Sequence, residues 1–117
     1  MVVWPQLSCV RKTSLLHAAI DLGGSSGRVT VGELVDQKIV LTELHRFKHE
    51  PIQNNDGLFW DWQFILEQIK IGLNKAVELG QVATVGVDSW AVDYGLIDEK
   101  GELLSPPIAI EMVEPMG

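Results

Sequence analysis

Ile20-Asp21-Leu22-Gly23-Gly24-Ser25-Ser26-Gly27-Arg28 is the stretch that decides how this chain is read. An apolar run, Leu15 to Ile20, enters it, and an alternating run, Arg28 to Leu34, leaves it. That pattern predicts strand, tight polar turn, strand. Gly23, Gly24 and Gly27 permit positive φ and leave main-chain amides uncovered by side chains. Such a turn can wrap an anion with backbone N–H donors. Asp21, at the end of the first strand, is then a candidate to face the Mg²⁺ that accompanies a nucleotide phosphate. The competing reading is a Gly/Ser hairpin without a ligand.

Two familiar phosphate loops are excluded. A Walker A loop ends in Gly-Lys-Ser/Thr and opens a helix, and neither feature is present. A dinucleotide fingerprint also opens a helix, whereas the residues after Gly27 carry strand periodicity.

Composition narrows the classes further. A chain of 117 residues with 46% hydrophobic content can bury a core. A net charge of −7 argues against a nucleic-acid partner or an anionic membrane surface. No apolar run approaches a membrane span. Cys9 is a lone thiol, so there is no internal disulfide, and a cytoplasmic location is expected. In residues 1–14 the apolar residues precede Arg11 and Lys12, the reverse of a secretory signal. They read as an N-terminal extension.

Along the chain, Leu15–Asp21 reads as a buried strand and Arg28–Val35 as a second. A third runs from Ile39 to about Lys48 after a turn at Asp36-Gln37-Lys38, making an antiparallel meander. Glu50 to Gly57 has loop chemistry. Asp61 offers an N-cap, and Trp62, Ile65, Leu66, Ile69, Leu73, Ala76 and Val77 recur at helical spacing up to Gly80. The spacing predicts a helix over Trp62–Leu79. Val82–Val87 reads as a buried fourth strand, and Glu99-Lys100-Gly101-Glu102 as a hairpin turn before an extended segment at Pro106-Pro107. This order fits an α/β, ribonuclease-H-like half-domain of the kind used by actin-like ATPases: three antiparallel strands, a helix, then further strands.

A second polar cluster, Gly86 to Gly95, follows that fourth strand. Asp88 sits at a strand end, where open α/β sheets bind ligands. Asp88 and Asp93 are candidate acceptors for polyol hydroxyls, and Trp90 for stacking on a sugar ring; a solvated Asp and a core Trp are the plainer alternative. Trp60-Asp61-Trp62 reads as cap and core rather than ligand site. His17 reads as a packed, hydrogen-bonded strand residue, and His45 and His49 as exposed. Arg28 is open to two roles, a structural ion pair or a phosphate contact.

Together, Ala19–Val29, Leu44-His45-Arg46-Phe47, Trp60-Asp61 and Val85–Asp98 resemble the N-terminal part of the L-rhamnulokinases, a family of the FGGY carbohydrate kinases. The resemblance runs from about Leu15 to Pro107 and keeps order and spacing. Kinases for xylulose, glycerol or fuculose resemble the first loop less closely. The resemblance implies ATP in a cleft between actin-like domains and transfer of its γ-phosphoryl group to a hydroxyl of L-rhamnulose, with Mg²⁺. Gly24, Ser25, Ser26, Gly27 and Arg28 match the family's phosphate-binding turn. Asp21 matches the acidic residue near the metal. Asp88, Trp90 and Asp93 match positions bordering the sugar pocket. Ala91 stands where the family has a sugar-contacting glycine, and its Cβ narrows the site.

The final residues depart from the family. Ile110 to Gly117 replaces a Tyr-Arg-Asp-Ser-Arg-like sequence. The family's general base, adenine pocket and second phosphate loop all lie in later segments. The expected organisation is therefore an extension (1–14), a partial kinase N-terminal domain (15–110) and a divergent tail (111–117), with no catalytic residue in this stretch. Phosphoryl transfer needs positioning and charge from both walls of a cleft. Three readings stand: a sugar-kinase portion inactive alone, a non-catalytic sugar- or partner-binding module, or a portion complemented by a second chain that supplies the missing domain.

Overall fold

Alternation fixes the first strand, β1 (Leu15–Leu22): Leu16, Ala18, Ile20 and Leu22 are buried, while Leu15, His17 and Ala19 are exposed. The computed structural model describes residues 14–110; apart from Ser14, the expected extension and the whole of the expected tail lie outside the described residues. β1 pairs antiparallel with β2 (Ser26–Val35), which pairs antiparallel with β3 (Lys38–Lys48). The two residues linking β2 to β3, Asp36 and Gln37, both have positive φ, 49° and 67°. That is the backbone hand of the tight turns that suit twisted hairpins.

A short hairpin follows, β4 (Ile52–Asn54) with β5 (Gly57–Phe59), where loop had been expected. Asn54, Asn55, Asp56 and Gly57 mark its turn rather than an unstructured link. The Asn54 side chain accepts from the Asp56 amide at 2.7 Å, and Gly57 has φ 132°. The chain then enters α1 (Trp62–Leu79), the span the periodicity predicts. β6 (Gln81–Asp88) runs parallel to β1 at the other side of the sheet, giving the order β3-β2-β1-β6. Antiparallel meander, crossover helix and parallel strand make this the α/β half-domain expected.

The helix lies on one sheet face. Ile65, Ile69, Gly72 and Ala76 form its buried stripe, while Val77, which the spacing also placed inward, is 65% exposed. Asp61 caps the helix, accepting from the Phe64 amide at 3.3 Å. At the far end Gly80 is extended, not left-handed. Its place is explained by Leu16, whose Cδ1 would lie 3.2 Å from an added Cβ.

One core cluster joins Ile20, Leu22, Val29, Phe47, Trp60, Ile65, Ile69 and Ala109. Fully burying Ile65 or Val29 contributes about 1.5–3 kcal/mol each. A smaller cluster holds Leu16, Ala18, Val31 and Ala76.

Between Val29 and Thr30 the β2–β3 register shifts, because β3 carries an extra residue there, Leu44. Two expectations of burial are corrected. β1 is buried on its helix side only. β6, read as a buried strand, is largely exposed, with Val85 at 51% and Val87 at 64%. The helix packs across β1, β2 and β3 and reaches β6 near its start, where Val82 is half-buried against the smaller cluster.

Candidate phosphate and sugar site

The quoted stretch forms the β1–β2 connection. Gly23 N–H donates to Ser26 O at 2.8 Å, which leaves Gly24 and Ser25 exposed at the tip. The glycines are not there for positive φ: neither Gly23 nor Gly27 is left-handed. Gly27 already lies in β2, where a Cβ would fall 2.4 Å from Phe47 Cζ. The sequence candidates Gly24 to Arg28 therefore straddle the turn and the strand. Only Gly24 and Ser25 belong wholly to the turn, while Ser26, Gly27 and Arg28 sit in the β2 ladder.

The turn carbonyls are occupied from the helix side. Gly23 O accepts from His49 Nε2 at 2.9 Å and from Trp90 Nε1 at 2.9 Å. Ser25 O accepts from the His49 amide at 3.1 Å. The amides of Gly24 and Ser25 meet no acceptor among the described residues.

On the opposite face a charged row crosses all four strands. Asp88 lies beside Asp21, Asp21 opposite Arg28, and Arg28 opposite Arg46. Arg28 Nε is 3.0 Å from Asp21 Oδ2, an ion pair without hydrogen-bond alignment. Of the two roles open to Arg28, the structure shows the ion pair. Asp21 is the more open partner, its side chain 47% exposed. At the β3 end of the row, Arg46 Nη2 donates to Glu43 Oε1 at 2.6 Å. That bond holds the Glu43 carboxyl below its ordinary value and raises the guanidinium.

The second polar cluster is divided by the fold. Asp88 adjoins Asp21 at the sheet end, and Ala91 is exposed. Trp90 instead stacks on Trp60, ring centroids 3.9 Å apart and planes 11° from parallel. Asp93 is drawn into the same group: Oδ2 accepts from Trp60 Nε1 at 2.5 Å and Oδ1 from the Ile110 amide at 2.9 Å. Each oxygen of Asp93 thus holds one protein donor, so Asp93 is a structural acceptor as well as a residue of the cleft wall. Trp90 and Asp93 line a cleft of about 400 Å³ with Trp62, Tyr94, Ile97 and Pro107, whereas Asp88 and Ala91 are not in its walls. The four sugar-side candidates thus do not form one constellation among the described residues.

His49 is the residue that sequence reasoning misplaced. Expected to be exposed, it is 4% exposed and packed edge-on to Trp60, with ring centroids 5.4 Å apart. Its signal was its spacing: two residues beyond inward-facing Phe47, it falls on the same face. His45 is half-buried and bonded to Gln68 Oε1 at 2.7 Å. His17 is hydrogen-bonded, to Thr84 at 2.7 Å, but exposed.

No group of three or more His, Cys, Asp or Glu able to hold a metal occurs among the described residues. No described helix is long and apolar enough to cross a membrane.

No family model matches the chain. Individual relatives do. The chain is 46% identical over 96 residues to a rhamnulokinase of Bacillus subtilis, covering 81% of this chain and 20% of that protein. It is 42% identical over 92 residues to a rhamnulokinase of Halalkalibacterium halodurans, covering 78% and 20%. To a rhamnulokinase of Mannheimia succiniciproducens it is 40% identical over 100 residues, covering 83% and 21%. Its fold is similar to part of a gluconate kinase from Lactobacillus acidophilus, with a TM-score of 0.66 at 15% identity, covering 82% of this chain and 20% of that one. The chain spans about a fifth of the length of these relatives, and over the residues so matched it is similar to the rhamnulokinases.

Proposed function

We propose that this chain is the N-terminal portion of an ATP-dependent sugar kinase that phosphorylates L-rhamnulose to L-rhamnulose 1-phosphate, and that these 117 residues alone do not turn over. The observation that carries the reading is the Gly24–Ser25 tip, exposed, with two amides that meet no acceptor among the described residues and the open carboxylate of Asp21 nearby in the chain. Backbone amides of this kind suit phosphate oxygens.

Mg²⁺ fits the donor set. It is commonly bound through one or two carboxylates plus substrate phosphates, and Asp21 and Asp88 end adjacent parallel strands side by side. Asp21 would hold it, with Asp88 as its neighbour. The ion would supply charge neutralisation between the phosphates. Gly24, Ser25 and Ser26 would meet the phosphates; Arg28 would keep Asp21 in place. Asp88 and Ala91 would border the sugar, with Trp90 behind them.

The uncovered apolar residues of β6 favour a portion of a larger assembly, with the remaining domain supplied in the same chain or by a second one, over a free-standing binding module. The test is a coupled ADP-release assay on the purified chain with ATP, Mg²⁺ and L-rhamnulose, beside an ATP-binding titration. Binding without turnover is expected. Turnover abolished by Asp21→Ala would overturn inactivity, and absence of any nucleotide binding would overturn the phosphate role.

A further inference from the structure

His49 and Trp90 converge on one carbonyl from separate parts of the chain. Both donate to Gly23 O, His49 from the end of β3 and Trp90 from beyond β6. The Gly23–Gly24 peptide is trans, as are all peptide bonds described. In a trans peptide the C=O and the N–H point to opposite sides of one rigid plane. Fixing the Gly23 oxygen toward the aromatic group therefore directs the Gly24 N–H away from it, to the exposed side. The His49 amide, donating to Ser25 O, holds the other limb of the turn.

The two donors are themselves held. His49 is 4% exposed, and because its Nε2 faces a carbonyl, the proton must lie on Nε2. Trp90 is clamped face to face on Trp60, whose indole is tied to Asp93. The side-chain hydrogen bonds of this group reach the turn at Gly23 O, one residue before the exposed tip.

We infer that His49 and Trp90 are positioning residues that preset the Gly23–Gly24 peptide for anion binding, and that through Trp60 and Asp93 they couple the shape of the turn to the 89–95 segment. The inference rests on the reading of the turn as a phosphate site. It adds that the site is aimed by groups that never meet the anion. Preorganised amides bind without the cost of reorienting when the ligand arrives.

The test is an amide NMR titration of the ¹⁵N-labelled chain with inorganic tripolyphosphate. In the unsubstituted protein the Gly24 amide and the Trp90 indole N–H should shift with the same midpoint, although only the former meets the anion. Trp90→Phe keeps a ring against Trp60 and removes the donor; His49→Phe keeps the packing and removes both ring nitrogens. Each should move the Gly24 amide before any anion is added and weaken tripolyphosphate binding about threefold to tenfold, the scale of one lost hydrogen bond. His49→Gln, which retains an N–H donor, should restore most of that loss. Melting transitions near that of the unsubstituted chain would show that the fold is intact. An unmoved Gly24 amide in both Phe variants, or a Trp90 indole indifferent to saturating anion, overturns the inference. If the unsubstituted chain binds no tripolyphosphate but the Phe variants still shift the free Gly24 amide, the phosphate reading falls and the positioning stands.

Discussion

Gly72 of α1 and Val29 of β2 approach so closely that a Cβ on the glycine would fall 2.4 Å from Val29 Cγ2 and 2.6 Å from its Cβ. A mid-helix glycine ordinarily costs about 1 kcal/mol relative to alanine. Here both neighbours are buried and the approach brings helix onto sheet, so the propensity gain is outweighed. Gly72→Ala should destabilise the chain by up to about 2 kcal/mol net in urea melts, the overpacking cost less the propensity gain. In the double variant with Val29→Ala the loss should be smaller than the sum of the two single losses; a stabilised Gly72→Ala variant would refute the account.

Asp61 closes the first turn of the same helix through the Phe64 amide. Asp61→Ala should lower stability by about 1 kcal/mol, and Asp61→Ser should cost much less. Thermal melts of the two variants side by side decide this.

Asp93 joins two donors that are otherwise far apart in the chain, Trp60 Nε1 and the Ile110 amide. Asp93→Ala orphans a nearly fully buried indole N–H and should cost about 1–3 kcal/mol. Asp93→Asn keeps one acceptor and should fall between. The Trp60 indole resonance reports the lost bond directly, and if it does not move, the bond is not present in solution.

The Glu43–Arg46 pair gives a pH dependence of known sign. The hydrogen bond from Arg46 lowers the Glu43 carboxyl below its ordinary 4.5, and the coulombic pull of Arg46 and Arg28 acts in the same direction. A group depressed on folding stabilises the fold fully above its unfolded value, and that contribution fades as pH falls through the folded one. Carbon-detected titration should place Glu43 below 4.5, and Arg46→Ala should move it upward. The pair is solvent-exposed, so added salt should diminish the shift.

Strand and helix identities were legible in the sequence because they rest on periodicity, which local residues carry. α1 showed a 3.6-residue stripe with a cap at Asp61. The meander showed alternation, and the charged and glycine-rich bend announced itself by composition. What stayed hidden depends on partners distant in sequence. The burial of His49 comes from Trp60 and Trp90, 11 and 41 residues on by their numbering. The structural bond of Asp93 was hidden because nothing local reveals that an indole 33 positions earlier donates to it. The exposure of β6 was illegible for a different reason. An apolar run records what a strand is built to lie against, whether or not the described residues include it. Gly27 misled in a third way: the sequence offered it as a turn residue free to take positive φ, and it serves as clearance for the Phe47 ring.

The surplus residue Leu44 has a consequence for the whole end of the sheet that carries the β1–β2 turn. Ahead of it, even-numbered residues of β3, Val40 and Thr42, share the helix side with Glu33 and Val31; beyond it, odd-numbered residues, His45 and Phe47, take that side. Were Leu44 instead taken into the ladder opposite Val29, every later residue of β3 would move one place, and Phe47 and His49 would turn out to solvent, emptying the space above Gly27 and withdrawing the imidazole from Gly23. A single-residue parity change in mid-strand, well away from the bend, would thereby dismantle it.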